Sequence, residues 1–341
     1  MAKPLDPAAL GEFGLIEALR RRAKSAGHSW AEAIGDDAAL LRPRVGQELA
    51  MTADALVEGV HFRWETTDGR ALAHKTLAVN LSDLAAMGAR PKGFLLSLAL
   101  PPIALPQRLD GFVSGLLAAS KRYACPLVGG DIVSSPAWML SVTAVGEVPR
   151  GKALLRRGAK PGDRLMLTGQ VGGSALGLAL LEAGVPHEAG GAARPFVRRH
   201  LKPEPRLEAG QKLRGLASAA LDVSDGVAQD ASQIARASGV AVQIDVASLP
   251  QPRGFAAACE RLGLDPDVLA LSGGEDFELL FTVAAKAPAA SAIAKRIGCP
   301  VREIGRVVRG GGVSLLRNGA PIDLQRLGFD HFKPNPLPSD K

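Results

Sequence analysis

The residues of this chain best suited to chemistry are aspartates that follow apolar runs or glycines: Ile34-Gly-Asp-Asp37, Thr52-Ala-Asp54, Asn80-Leu-Ser-Asp83, Gly129-Gly-Asp131 and Asp222-Val-Ser-Asp225. Scattered surface carboxylates sit among other polar residues on helix faces, whereas these are expected at sharp turns where backbone and side chains converge. Converging carboxylates need cations, because two of them ~5 Å apart repel by about 3 kcal/mol at an effective dielectric of ~20. Hard divalent cations held by oxygen ligands, Mg2+ above all, in one shared site are the first expectation. A second acidic segment, Ser272-Gly-Gly-Glu275-Asp276-Phe277-Glu278, places three carboxylates after a Gly-Gly turn. Its glycines permit positive φ and the close approach of a ligand to Glu275 and Asp276, while Glu278 reads as a solvated side chain. Asp222-Val-Ser-Asp225-Gly226 has the same logic, with Ser224 or Asp225 also suited to capping a helix.

Other chemistries lack their residues. Gly146-Glu-Val-Pro-Arg-Gly-Lys152 matches the opening of a phosphate-binding loop, but Ala153 stands where a hydroxyl is needed and Pro149 removes an amide from the anion cradle. It reads as a turn between domains. No Cys/His pair has metal-ligand spacing, and no Gly-x-Ser-x-Gly elbow is present. His61 is isolated from other histidines, and by residue type alone is a packing or surface side chain. Three distant cysteines form neither a disulfide framework nor a zinc knuckle, which fits a reducing compartment. The net charge of +7 is spread in short clusters such as Arg20-Arg-Arg22, so it suits small anionic substrates rather than nucleic acid. With no signal-like start and the most apolar run broken by Pro101 and Pro102, a cytoplasmic protein without a membrane span is expected.

The elements that must position these residues read as two α/β halves, a natural division of 341 residues. An amphipathic helix over 11–27 opens the first half, and short strands over 38–41 and 49–52 adjoin aspartates. A helix over 70–88 carries Leu77, Leu81, Leu84 and Gly88 on one stripe and Thr76, Asn80 and Asp83 on the next, so Asp83 faces a site while its helix packs. Strands over 92–100, 126–128 and 138–148 and a helix over 106–123 complete this half. Gly, Pro and basic residues over 149–162 mark a boundary, giving domains of 1–150 and 151–332 and a loose tail over 333–341. The second half shows strands over 164–168, 219–222, 240–246 and 279–283, helices over 172–184, 227–238 and 291–298, and a late hairpin at Asn318-Gly319.

Taken in order, these motifs with Gly11-Glu-Phe-Gly-Leu-Ile16 and Gly328-Phe-Asp-His-Phe332 closely resemble the thiamine-monophosphate kinase family from residue 11 to 332. The resemblance implies ATP-dependent phosphorylation of thiamine monophosphate to thiamine diphosphate. It also implies the two-domain α/β (α+β) fold shared with aminoimidazole ribonucleotide synthetase, in which N-terminal domains pair into a dimeric β-barrel. By position, Asp37, Thr52, Asp54, Asp83, Asp131 and Asp222 correspond to Mg2+ ligands, with Asp225 an additional one. Ser224, Gly130, Asp131 and Arg156 correspond to nucleotide contacts, Asp54, Asp131 and Arg156 to the catalytic centre, and His61, Glu275 and Phe329 to the thiamine side. Ala53 stands where Thr is common, leaving only its carbonyl as a metal donor, and Phe277 stands where Tyr is common.

The implied partners are ATP, thiamine monophosphate, several Mg2+ ions and a second copy of the chain, with neither nucleic acid nor membrane; a monovalent cation requirement stays open. An acceptor phosphate, whose second pKa is near 6, is already ionised at neutral pH, which accounts for the missing catalytic base. Alternatives are another ATP-dependent enzyme of this superfamily or a non-catalytic nucleotide- or metal-binding regulator. Selenophosphate synthetase would carry a reactive Cys near its start, whereas the first Cys here is Cys125.

Overall fold

The structure, a computed structural model, describes residues 5–23, 30–35, 37–317 and 319–322. It divides into two compact units, Met1–Leu84 with Ala89–Ala153, and Ala85–Gly88 with Leu154–Lys341. Among the described residues no helix is long and apolar enough to cross a membrane.

The first unit runs α1 (Pro7–Ala23), β1 (Trp30–Glu32), β2 (Leu40–Leu41), β3 (Gln47–Val57), α2 (Gly69–Ala86), β4 (Arg90–Leu100), α3 (Pro106–Arg122), β5 (Leu127–Ser134) and β6 (Met139–Pro149). Its main sheet has the order β3-β6-β4-β5, with only β4 and β5 parallel. Strand alternation gives that sheet two unlike faces. Ala50, Leu56, Leu140, Val142, Ala144, Phe94, Leu96 and Leu98 are buried, whereas Leu49, Met51, Leu95, Met139 and Val133 are exposed. The helix α2 is buried nearly all round from Ala71 to Ser82, so the apolar and polar stripes of its sequence are both inside. Its approach to α3 depends on small residues: a Cβ on Gly115 would lie 2.7 Å from the Arg70 Cα.

The second unit runs β7 (Arg164–Thr168), α4 (Gly173–Glu182), α5 (Arg194–Leu201), α6 (Leu207–Leu213), β8 (Ala217–Asp222), α7 (Val227–Ser238), β9 (Ala241–Asp245), α8 (Phe255–Arg261), α9 (Pro266–Ser272), β10 (Leu279–Val283), α10 (Ala290–Ile297), β11 (Val301–Val308), β12 (Gly312–Arg317) and β13 (Ala320–Ile322). The sheet order is β13-β12-β9-β11-β7-β10-β8, antiparallel except for β12 beside β9. Both faces are covered: Leu165, Leu167, Leu221 and Leu280 enter one core, while Met166, Ala220, Leu279 and Phe281 enter the other. A run such as Leu279-Leu-Phe-Thr-Val283 is therefore apolar at every position but Thr282.

Several expectations change here. The strand expected over 49–52 extends to Gln47–Val57, so Asp54 lies inside it, and Asp131 lies inside β5, neither of them at a turn, while Asp83 lies on α2 as its helical stripe predicts. The opening helix starts earlier, at Pro7, and kinks at Gly11. Strand β11 and helices α5, α6, α8 and α9 lie where the sequence reading assigned no element.

Candidate active site

In the first unit, β3 and α2 bring together part of the oxygen set. Thr52 donates its hydroxyl to the Asp83 carboxylate, and the backbone N–H of Asp54 donates to Asn80 Oδ1 at 3.0 Å. Asn80 and Asp83 are one helical turn apart and so address the same strand, with Asn80 fixed by donating to the Thr76 carbonyl. Asp54 is exposed, as is Ala53, which alternation puts on the other face of β3.

Asp131 is exposed on β5, where its carboxylate accepts from the Ile132 N–H at 2.9 Å. The register places Asp54 in a row with Val142, Leu96 and Gly130, and Asp131 in the next row with Ser97, Ser141 and Ala55. β3 and β5 are opposite edges of the sheet, three strand spacings or about 14 Å apart. Two ligands of one Mg2+ stand within about 4 Å of each other, so Asp54 and Asp131 of one chain do not meet on a single ion. Asp37 is exposed in the bend between β1 and β2.

Gly130 is required by its neighbours. Its φ is 150°, and a Cβ there would lie 1.9 Å from the Leu96 carbonyl oxygen. His61 sits in the turn after β3 and accepts the Val57 N–H at Nδ1, 3.1 Å away, which puts the proton of the neutral ring on Nε2.

In the second unit, β8 ends at Asp222 and the chain turns through Val223, Ser224, Asp225 and Gly226 into α7. The expected capping by Ser224 or Asp225 is replaced by the reverse contact. Asp230, in the first turn of α7 and 4% exposed, accepts the N–H groups of both Ser224 and Asp225 at 3.1 Å. Its carboxyl is pushed up to about 8, first by burial and then by the charges of Asp225 and Asp222. That mutual repulsion, among hard oxygen donors, is the condition a divalent cation relieves, so the donor set fits Mg2+. Among the described residues, however, no three Asp, Glu, His or Cys side chains gather tightly enough to hold a metal by themselves. Arg156 is exposed on a segment laid against the outer edge of β8, where Leu155 accepts the Ala220 N–H at 2.8 Å.

The Ser272–Glu278 segment is bound to this turn as a backbone ladder. Glu275 N–H donates to Ser224 O at 2.8 Å, Phe277 N–H to Val223 O at 2.9 Å, and Val223 N–H to Glu278 O at 2.8 Å. Its glycines serve the protein rather than a ligand. A Cβ on Gly274 would lie 2.4 Å from the Ser224 carbonyl oxygen, and one on Gly273 would lie 2.3 Å from that of Leu269. Positive φ falls instead on Glu275, at 63°, and Phe277, at 50°. Such backbone costs on the order of 1–3 kcal/mol per residue and persists only where the surroundings enforce it.

The enforcing contacts are three. Asp276 caps α4 by accepting from Gly172 N–H at 2.6 Å and Ser174 N–H at 2.9 Å, and burial pushes its carboxyl up to about 7. Glu278, read from sequence as solvated, is 1% exposed and is gripped by both Arg206 Nε and Nη2 and by the Thr168 hydroxyl. Buried His200 meets Glu275.

The chain matches the family models AIR synthase related protein, N-terminal domain, over residues 35–148 and AIR synthase related protein, C-terminal domain, over 160–318. A thiamine-monophosphate kinase of Salmonella typhimurium is 42% identical over 328 residues, covering 95% of this chain and 99% of the relative. The chain belongs to the thiamine-monophosphate kinase family. The solved thiamine-monophosphate kinase of Stenotrophomonas maltophilia is 40% identical with a TM-score of 0.81, over 92% of this chain and 98% of that one. AaThiL, solved as a complex with AMPPCP and TMP, is 34% identical with a TM-score of 0.75, over 97% and 100%. Within the family reading, Phe329 lies outside the described residues. Asp230, His200 and Arg206 escaped the sequence reading; only Asp230 left a signal, an acidic residue in the first turn after Asp225-Gly226.

Proposed function

We propose that this chain transfers the γ-phosphoryl group of ATP to thiamine monophosphate, giving thiamine diphosphate and ADP. The observation that carries the reading is full-length kinship with thiamine-monophosphate kinases, AaThiL among them with AMPPCP and TMP bound. Thr52, Asp54, Asp83 and the Ala53 carbonyl, with Asp37, Asp131, Asp222 and Asp225, would hold Mg2+. Bound there, Mg2+ supplies neutralisation and alignment of two polyanions. Arg156 adds a positive charge for the transferred group, and Gly130 and Ser224 serve the nucleotide. His61, Glu275 and Phe329 serve the acceptor, Glu275 offsetting its cationic ring. The acceptor phosphate is already ionised at neutral pH and needs no base. Purified protein with ATP, Mg2+ and thiamine monophosphate should yield thiamine diphosphate and ADP in equal amounts, and unphosphorylated thiamine should yield neither. Nucleotide binding without ADP release would favour a regulator instead.

A second copy belongs to this reading. The exposed face bearing Met51, Leu95, Val133 and Met139 is the kind of apolar surface a closed barrel covers, and Asp54 and Asp131 stand at opposite edges of the same sheet. Pairing of first units would cover the face and let Asp54 of one chain approach Asp131 of the other. Sedimentation at micromolar concentration should give a dimer; a strict monomer would remove this part alone.

A further inference from the structure

The geometry points to His200 as a positioning residue that holds the Glu275 carboxylate in the orientation an acceptor needs. The inference rests on the reading of Glu275 as the contact for the cationic ring. The Glu275 backbone is already fixed, by its φ of 63° and its N–H bond to Ser224 O. Its side chain still has three torsions, and backbone bonds do not set them. Among the groups that meet it is His200, 7% exposed near the end of α5, with Nδ1 3.3 Å from Glu275 Oε2 and 3.2 Å from the Ser174 hydroxyl.

The helices are built to make this meeting. A Cβ on Gly177 of α4 would lie 2.2 Å from the Phe196 carbonyl oxygen and 3.0 Å from the His200 Cβ, so only glycine lets α5 come this close. A carboxylate can only accept, so a hydrogen bond across this 3.3 Å contact takes its proton from His200 Nδ1, with Ser174 then the acceptor of the two at that nitrogen. An imidazole can orient Glu275 through a neutral N–H, without cancelling its charge, which a Lys or Arg in the same place would do. The Glu275 side chain remains 31% exposed, open to a ligand while held. Misorientation by a fraction of an ångström is what such a group acts against.

The test compares steady-state KM values for thiamine monophosphate and ATP across a small set of variants of the full chain. His200→Ala should raise the acceptor KM roughly tenfold, the scale of one hydrogen bond to a charged group, and leave the ATP KM within about twofold. His200→Asn, whose amide nitrogen lies near the place of Nδ1, should restore the acceptor KM to within about threefold of the parent. Glu275→Gln should raise the acceptor KM by itself, and adding His200→Ala to it should do little more. Should His200→Ala not fold, His200→Gln, whose amide lies near the place of Nε2, takes its part against His200→Asn. If Glu275→Gln raises the acceptor KM and the His200 variants do not, positioning is overturned while the role of Glu275 stands. If Glu275→Gln leaves that KM unchanged, the acceptor reading falls and takes the inference with it. Equal losses for both substrates, or no rescue by His200→Asn, would make His200 a packing residue only.

Discussion

Removing the Arg206 guanidinium should destabilise the second unit by leaving a carboxylate buried without its cation. Glu278 is 1% exposed, and among the described residues that donate to it Arg206 supplies two bonds and the only charge, the others being the Thr168 hydroxyl at 2.7 Å and the Gln170 N–H at 3.4 Å. Burial alone would lower the Arg206 pKa, yet the bond to Glu278 and its charge outweigh this and hold it above the ordinary value. Breaking a buried pair by deleting one partner costs about 3–5 kcal/mol, because the remaining charge keeps its desolvation cost. For Arg206→Leu, ~4 kcal/mol on a unit of this size lowers Tm by roughly 8–16 °C. Thermal unfolding followed by far-UV circular dichroism reads this directly. Glu278→Gln alone should cost less, because its amide oxygen still accepts from Thr168 and Arg206 is 29% exposed and can turn to water. The double variant Arg206→Leu with Glu278→Gln should recover part of the single loss, since no buried charge remains. A Tm loss under about 2 °C for Arg206→Leu, or a double variant less stable than that single, would refute the clamp.

Gly130→Ala should lower the Tm of the nucleotide-free protein, by about 3 kcal/mol or more in stability, because its Cβ would lie 1.9 Å from the Leu96 carbonyl oxygen; an unchanged Tm with weakened ATP binding would instead make Gly130 a ligand residue alone. Asp276, pushed up from the ordinary 3.8 to about 7 by burial, holds a proton in the folded chain that the unfolded chain has released, so its contribution to stability falls as pH rises from about 4 to 7. Asp276→Asn lacks that loss, so its stability relative to the parent should rise over this window by on the order of 4 kcal/mol in urea titrations; a constant difference would show the carboxyl ionised throughout. Asp54→Asn and Asp131→Asn should each abolish most turnover, with metal-free stability held or raised by the lost repulsion. Mixed and refolded together at equal amounts, they should regain about a quarter of parental activity, because half of random dimers are hybrids with one intact site of two; no recovery would place both aspartates in one chain's site.

What the sequence by itself determined is the family: aspartate and glycine motifs in a fixed order, specific enough to point to one kinase family, which the full-length relatives bear out. It also determined the two halves and most strands and helices, because apolar periodicity and glycine stops are local properties. The expectation that aspartates after apolar runs lie at turns did not survive for Asp54 and Asp131, since an apolar run can continue as a strand past a polar residue. Tertiary structure alone decided that Gly273 and Gly274 make room for protein backbone, that positive φ falls on Glu275 and Phe277, and that Glu278 is clamped by Arg206, 72 residues away. His200 likewise has ordinary local sequence, and Asp230 shows only its place in the first turn of a helix; what sets them apart is which chain segment the fold brings within hydrogen-bond reach. Contacts across such separations depend on how sheets register and how closely helices approach, and no window of neighbouring residues contains that information.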